Sequence, residues 1–147
     1  MKDCELCQRV ERIADKNYPF TLFEFKNSYL CFGEHQYYSG YCVLVTKKHY
    51  KEMSDIPSPE REEIFQELMF SSKAIQNILN PKKMNLSSLG NVVEHLHWHL
   101  FPRYENDPYL KNPPWLQMQY FNEAQTDLKL TFELRQKLRR ELERLTQ

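Results

Sequence analysis

Three of the five histidines, His95, His97 and His99, stand at alternate positions in the run His95-Leu96-His97-Trp98-His99-Leu100-Phe101. An imidazole with its ordinary pKa of about 6.5 exchanges protons near neutrality, and its unprotonated nitrogen is a nucleophile or a metal ligand. On a strand, side chains at i, i+2 and i+4 share one face; on a helix the middle ring would point away from the other two. Leu96, Trp98 and Leu100 form a second, apolar face, which favours the strand. The pattern predicts a strand from Glu94 to Phe101, stopped by Pro102. One of its faces packs into a core, and the other carries three rings in a row. A second pair, Cys4-Glu5-Leu6-Cys7, has the spacing of half a zinc site, which redox dithiols and chance also produce.

These residues need a scaffold, and 147 residues suit a single domain with one core. Strand-like runs lie at Tyr18–Phe25, Ser28–Phe32 and Tyr41–Thr46, with Gly40 at the turn into the third. Ser58 reads as an N-cap with Pro59 at the first helical position and Glu60, Glu62 and Glu63 in the first turn. Ile64, Phe65, Leu68, Ile75, Ile78 and Leu79 give that helix an apolar stripe, and Asn80-Pro81 ends it. A fourth strand over Lys83–Leu86, a turn over Ser87–Gly90 and the histidine strand follow. Glu105 to Trp115 reads as loop, broken by Asp107-Pro108 and Pro113-Pro114. Thr131 would cap a last helix bearing Leu134, Leu138, Leu142 and Leu145, which packs on the domain or on a partner. Strands in runs rather than strict alternation with helices predict an α+β domain with an antiparallel sheet of about five strands.

Lys+Arg and Asp+Glu both number 20, so no global field attracts a nucleic-acid polymer. Lys47, Lys48, Lys51, Lys82 and Lys83 read as solvated loop charges. No 18-residue apolar run and no signal-peptide core occur, so a membrane span is not expected and the cytoplasm is the expected location. Cys31 and Cys42 sit in apolar runs as small core residues. Trp115 covers a cleft, lies in an interface or simply packs; His35 carries no assignment.

The stretch from Leu89 to Arg103 resembles the histidine triad (HIT) family, whose signature is His-φ-His-φ-His-φ-φ with φ apolar. Ser39 to His49 is similar to that family's strand of Pro-Gly-His, an apolar run and Pro-Lys-x-His. The likeness runs from about Cys4 to Arg103, with a core of about residues 4–108 and a looser tail over 109–147. Within the family the chain looks most like small bacterial diadenosine polyphosphate hydrolase-like members. The resemblance implies a HIT-like fold that pairs into a homodimer. It implies a nucleotide substrate, adenine first among the bases, cleaved or transferred at the α-phosphate.

By position, the resemblance makes His97 the nucleophile, flanked by His95 and His99. It puts Asn91 where many members carry a phosphate-contacting Gln. An imidazole attacking phosphorus gives a labile nucleotidyl adduct that water resolves, so one hard step becomes two easier ones. A protonated neighbouring ring can donate to the leaving group. Asn91 and backbone N–H groups can hold phosphoryl oxygens, with Gly90 allowing close approach. Some members complete a structural zinc site with residues equivalent to His49 and His95, so the implied ligand set is Cys4, Cys7, His49 and His95. Three departures stand out: Tyr41 replaces a His, Gly33 falls near a ribose-binding Asp or Asn, and Asn91 is a methylene shorter than Gln.

Other readings stay open. The strand histidines could ligate a catalytic metal with a position left for water. The fold could serve as a non-catalytic nucleotide-binding or interaction protein. DNA-adenylate repair is disfavoured by the neutral charge. Three rings opposite a wholly apolar face disfavour a bland polar surface.

Overall fold

The computed structural model describes residues 4–120 and 128–147. Helix α1 (Glu5–Ala14) precedes strands β1 (Thr21–Glu24), β2 (Ser28–Phe32) and β3 (Cys42–Thr46). Then come α2 (Ser58–Leu79), β4 (Lys83–Ser87), β5 (His97–Arg103) and α3 (Leu128–Leu145), with 3-10 turns at Met53–Asp55 and Pro114–Tyr120. The five strands form one sheet in the order β1-β2-β3-β5-β4, every neighbour antiparallel. This is the expected α+β architecture, with β2 spanning the predicted residues.

Every residue of β2 and β3 is buried because both faces of the sheet are covered. On one face Leu30, Leu44, Trp98 and Leu100 meet Ile64, Leu68, Ala74 and Ile75 of α2 and Leu138 and Leu142 of α3. α3 therefore packs on its own domain. It begins at Leu128, so Thr131 lies inside it rather than at its cap. On the opposite face α1 sets Leu6 and Ile13 against Tyr29, Cys31 and Val45. Leu6, Val10 and Ile13 are spaced for a helix face, and Glu5 and Arg12 suit its dipole at either end.

α2 starts one residue earlier than its sequence suggests. Pro57 takes the cap position, its carbonyl accepting from Arg61 N–H at 2.9 Å, while Ser58 Oγ donates to Glu62 at 3.0 Å. Asn80 closes the helix in the left-handed region, with φ 46°. Phe65, predicted on the buried stripe, is exposed.

The histidine strand differs at both ends. It begins at His97, leaving Glu94, His95 and Leu96 outside the ladder. It also runs through Pro102, which pairs with Met84, and stops at Arg103. β3 has already ended opposite Leu100, so Pro102 lies in a two-stranded margin where a missing N–H is tolerated. Among the described residues, no helix is long and apolar enough to cross a membrane.

Candidate functional site

β5 pairs with β3 in the register Val45↔His97, Leu44↔Trp98 and Val43↔His99. Alternation then sends Trp98 and Leu100 to the α2 face and leaves His97 and His99 on the α1 face. Their Nε2 atoms stand 3.1 Å apart. His95 is not a third ring in that row. It lies before the strand, free of the alternation, and is fully buried with Nδ1 toward two thiols.

His97 Nδ1 lies 2.7 Å from the carbonyl oxygen of His95. A carbonyl only accepts, so Nδ1 carries the proton and Nε2 of the neutral ring holds a lone pair. The facing His99 Nε2 satisfies that lone pair by donating to it. His99 Nδ1 is 2.6 Å from the Tyr41 hydroxyl. Burial, then the neighbouring His97, lowers the His99 pKa to about 3, so in the free protein this ring is neutral.

Two cavities meet at His97. One, of about 230 Å³, is lined by His97, His99, Tyr41, Gly33, Val43 and Arg9. The other, of about 410 Å³, is lined by His97, Gly90, Asn91, Leu89, Lys51 and Glu94. Gly90 has φ +71°, and a Cβ there would meet nothing, so backbone conformation rather than crowding calls for glycine. The loop bearing Gly90 and Asn91 thus lines a cavity with His97 but not with His99. Trp115 stands edge-on to His99 with centroids 4.7 Å apart, covering that ring from the loop after β5.

Arg103 anchors that loop. Fully buried, it donates to Asp107 through Nε at 2.7 Å, to Asn85 at 2.8 Å, and to the Asn112 and Tyr109 carbonyls at 2.9 and 2.7 Å. Sequence reading gave no role to Arg103, to Arg9, or to His35, whose ring stacks on Tyr41 at 4.8 Å. Arg9 is ion-paired with Glu34 at 3.0 Å and Glu5 at 3.1 Å.

A second cluster lies beside the pair. Donor atoms of Cys4, Cys7, His49 and His95 all fall within 4.8 Å of one another. Cys7 Sγ is 3.3 Å from His49 Nδ1 and 3.4 Å from His95 Nδ1, and Cys4 Sγ is 3.8 Å from His95 Nδ1. Ligands of a tetrahedral zinc at ordinary bond lengths stand roughly 3.3–3.8 Å apart, so the donors need little movement. His95 Nε2 lies 2.8 Å from the Thr46 carbonyl and must donate to it, which leaves Nδ1 free for a metal. Burial, and then the adjacent Cys4 thiol, pushes the Cys7 thiol up to about 11. Donor types, tautomer and spacing fit zinc.

Residues 15–106 match the HIT domain family model. A search of curated proteins returned no match. Among solved structures, the fold resembles a histidine triad protein from Bradyrhizobium japonicum, with TM-score 0.74, 22% identity, and 83% of this chain and 89% of that one covered. A zinc-bound histidine triad family protein from Mycobacterium smegmatis superposes with TM-score 0.68 at 18% identity, covering 99% and 96%. Diadenosine triphosphate hydrolase from Plasmodium falciparum, in complex with cyclomarin A, gives TM-score 0.63 at 18% identity, covering 86% and 78%. With its family model matched across β1 to β5 and its fold shared with these proteins, the chain belongs to the HIT domain family.

Proposed function

We propose that the chain is a nucleotide hydrolase or nucleotidyl transferase that cleaves at the α-phosphate through a covalent nucleotidyl-His97 intermediate. The observation that carries this reading is the state of His97. The His95 carbonyl holds its proton on Nδ1, which leaves Nε2 unprotonated and hydrogen-bonded to His99, and the residue lines both cavities.

The steps follow from those groups. His97 Nε2 attacks the α-phosphorus, a P–N bond forms, and the bond to the leaving group breaks with its electron pair on the departing atom. His99 is neutral in the empty site, but a phosphate anion close by favours its charged form. In that form Nε2–H protonates the leaving group. Water or another acceptor then attacks phosphorus, gives its proton to His99, and releases His97. Asn91 and the backbone at Gly90 donate to the phosphoryl oxygens. A dinucleotide polyphosphate, as named for the Plasmodium relative, or a phosphoramidate supplies such a linkage, with adenosine the first nucleoside to try.

In the same reading Cys4, Cys7, His49 and His95 hold a structural zinc. Bound there, the metal would tie the start of α1 to the segments just after β3 and just before β5. His95 then positions His97 rather than moving protons. Four free cysteines suit a reducing compartment, and the cytoplasm is the location this reading expects. The homodimer implied by the family belongs to the proposal, with light scattering as its test.

The deciding experiment is single turnover with diadenosine polyphosphates and adenosine phosphoramidates, with acid-free mass spectrometry for the adduct. A nucleotidyl group on His97, lost in His97→Ala while nucleotide binding persists, is the expected result. Nucleotide binding without turnover would instead make the protein a non-catalytic binder. Turnover abolished by chelation, with no adduct, would make the histidines ligands of a catalytic metal.

A further inference from the structure

We propose that Tyr41 is a positioning residue for His99: its hydroxyl holds the ring at Nδ1 and sets the resting tautomer, with the proton on Nε2 and aimed at His97. The role of His99 as proton donor rests on the function proposed above; the tautomer itself does not.

The hydroxyl of Tyr41 is 2.6 Å from His99 Nδ1, and the two ring planes lie within 10° of each other. The direction of that bond is fixed from the far end of the chain of contacts. His97 donates through Nδ1 to a carbonyl, so its Nε2 must accept, and His99 Nε2 at 3.1 Å must donate. A neutral His99 then has only a lone pair at Nδ1, which the phenol proton fills. The reverse arrangement would set two lone pairs face to face. Burial raises the Tyr41 pKa, which keeps the phenol a donor.

The ring is held as firmly as the hydroxyl. Tyr41 is 5% exposed and stacks with His35 at 4.8 Å and Phe101 at 4.5 Å. Its edge fills the space where Gly33 lacks a side chain: a Cβ at Gly33 would lie 2.0 Å from Cδ1 and 2.1 Å from Cε1 of Tyr41. Gly33 therefore provides room rather than an unusual backbone conformation. Two of the three departures noted in the sequence, Tyr41 and Gly33, are one packing unit. A side chain at position 33 and this ring at position 41 exclude each other.

A hydroxyl also suits a partner that changes charge. It donates to Nδ1 when the ring is neutral and accepts from Nδ1–H when the ring is protonated. His99 therefore keeps one position through both proton-transfer steps.

The test uses the full-length protein with ¹⁵N-labelled histidine. In the wild type, His99 is expected to show a bare Nδ1 and a protonated Nε2. In Tyr41→Phe that preference is lost, and Gly33→Ala, which displaces the ring, produces the same change. Kinetics read the consequence. With adenosine 5′-phosphoramidate, whose leaving amine needs a proton, Tyr41→Phe lowers the first-turnover rate of amine release roughly 10- to 100-fold, part of what a positioned proton donor supplies. With adenosine 5′-(p-nitrophenyl phosphate), whose leaving group needs none, the first-turnover burst of nitrophenol changes less than about 3-fold on the same argument. A wild-type His99 tautomer in Tyr41→Phe would overturn the proposal, as would equal losses on both substrates. A wild type that turns over neither substrate would count against the nucleotidyl-transfer reading, while the nitrogen signals still decide the role of Tyr41.

Discussion

Acidification should unfold this protein partly through His99, by an amount the site itself sets. The ring is neutral when folded, with its pKa lowered to about 3 from the ordinary 6.5. Between those values the unfolded chain binds a proton that the folded chain does not, so stability rises with pH there and is lost as pH falls below 6.5. For this one group the loss is RT ln(1 + 10^(6.5−pH)) while the folded ring stays neutral. That gives ~0.1 kcal/mol at pH 7.5, ~0.8 at pH 6 and ~2 at pH 5. Burial also lowers His95, and any bound metal would be lost with acid, so the total slope has several sources. His99→Asn isolates one of them. It removes the titration, leaves an amide oxygen for Tyr41, and keeps the Cys4, Cys7, His49 and His95 cluster. Urea unfolding at pH 7.5, 6 and 5 should show the wild type losing about 2 kcal/mol more than His99→Asn across the range. Parallel stability curves for the two proteins would refute the claim that burial keeps His99 uncharged.

Three further outcomes are expected. Untagged protein should carry zinc at one per chain by elemental analysis, and chelation or Cys7→Ser should remove it and lower Tm; a metal-free protein of unchanged Tm would sink the site. Arg103→Ala should cost ~3–5 kcal/mol, because it strands a buried Asp107 partner and frees two carbonyls, and the fluorescence of Trp115 should shift toward that of a solvated indole. A loss under about 1 kcal/mol would mean that the loop holds without it. His97→Ala should abolish adduct formation and turnover with little change in urea midpoint, since the ring is only partly buried and its bonds are to His95 and His99.

Much of this was legible in the residues, and the exceptions have physical causes. Ser28–Phe32 reads as a strand because every residue suits one, and the structure keeps its ends. The third strand starts one residue later, because the Tyr41 N–H turns back to the Tyr38 carbonyl, and the long helix starts one residue earlier, where capping chooses among neighbouring candidates. Helix α1 has only Leu6, Val10 and Ile13 to mark its face, and Cys4 and Cys7, which read locally as a ligand pair, are also positions on its first turn. The same turn is what brings both thiols to one side. Arg103 was invisible as an anchor, since nothing local reveals that an arginine beside a proline will be fully buried among partners up to 18 residues away. In sequence Tyr41 is only a departure from the family pattern; its bond to His99 and its exclusion of a Cβ at position 33 are tertiary facts.

The largest misreading carries the most information about how the site works. A regular strand would have placed His95, His97 and His99 on one face, where all three could compete for the same substrate. Starting the strand at His97 breaks the alternation at the residue that must leave it. The His95 ring then turns into the protein, where Thr46 holds Nε2 and the thiols face Nδ1, while its carbonyl oxygen stays beneath His97. One residue thus belongs to both clusters, through its side chain to the cysteines and through its backbone to His97. Anything that fixes the His95 ring also fixes the acceptor that keeps the His97 proton on Nδ1. The triad is therefore two rings in contact plus a third turned away from them, and His95 reaches the pair through a main-chain oxygen rather than through its imidazole.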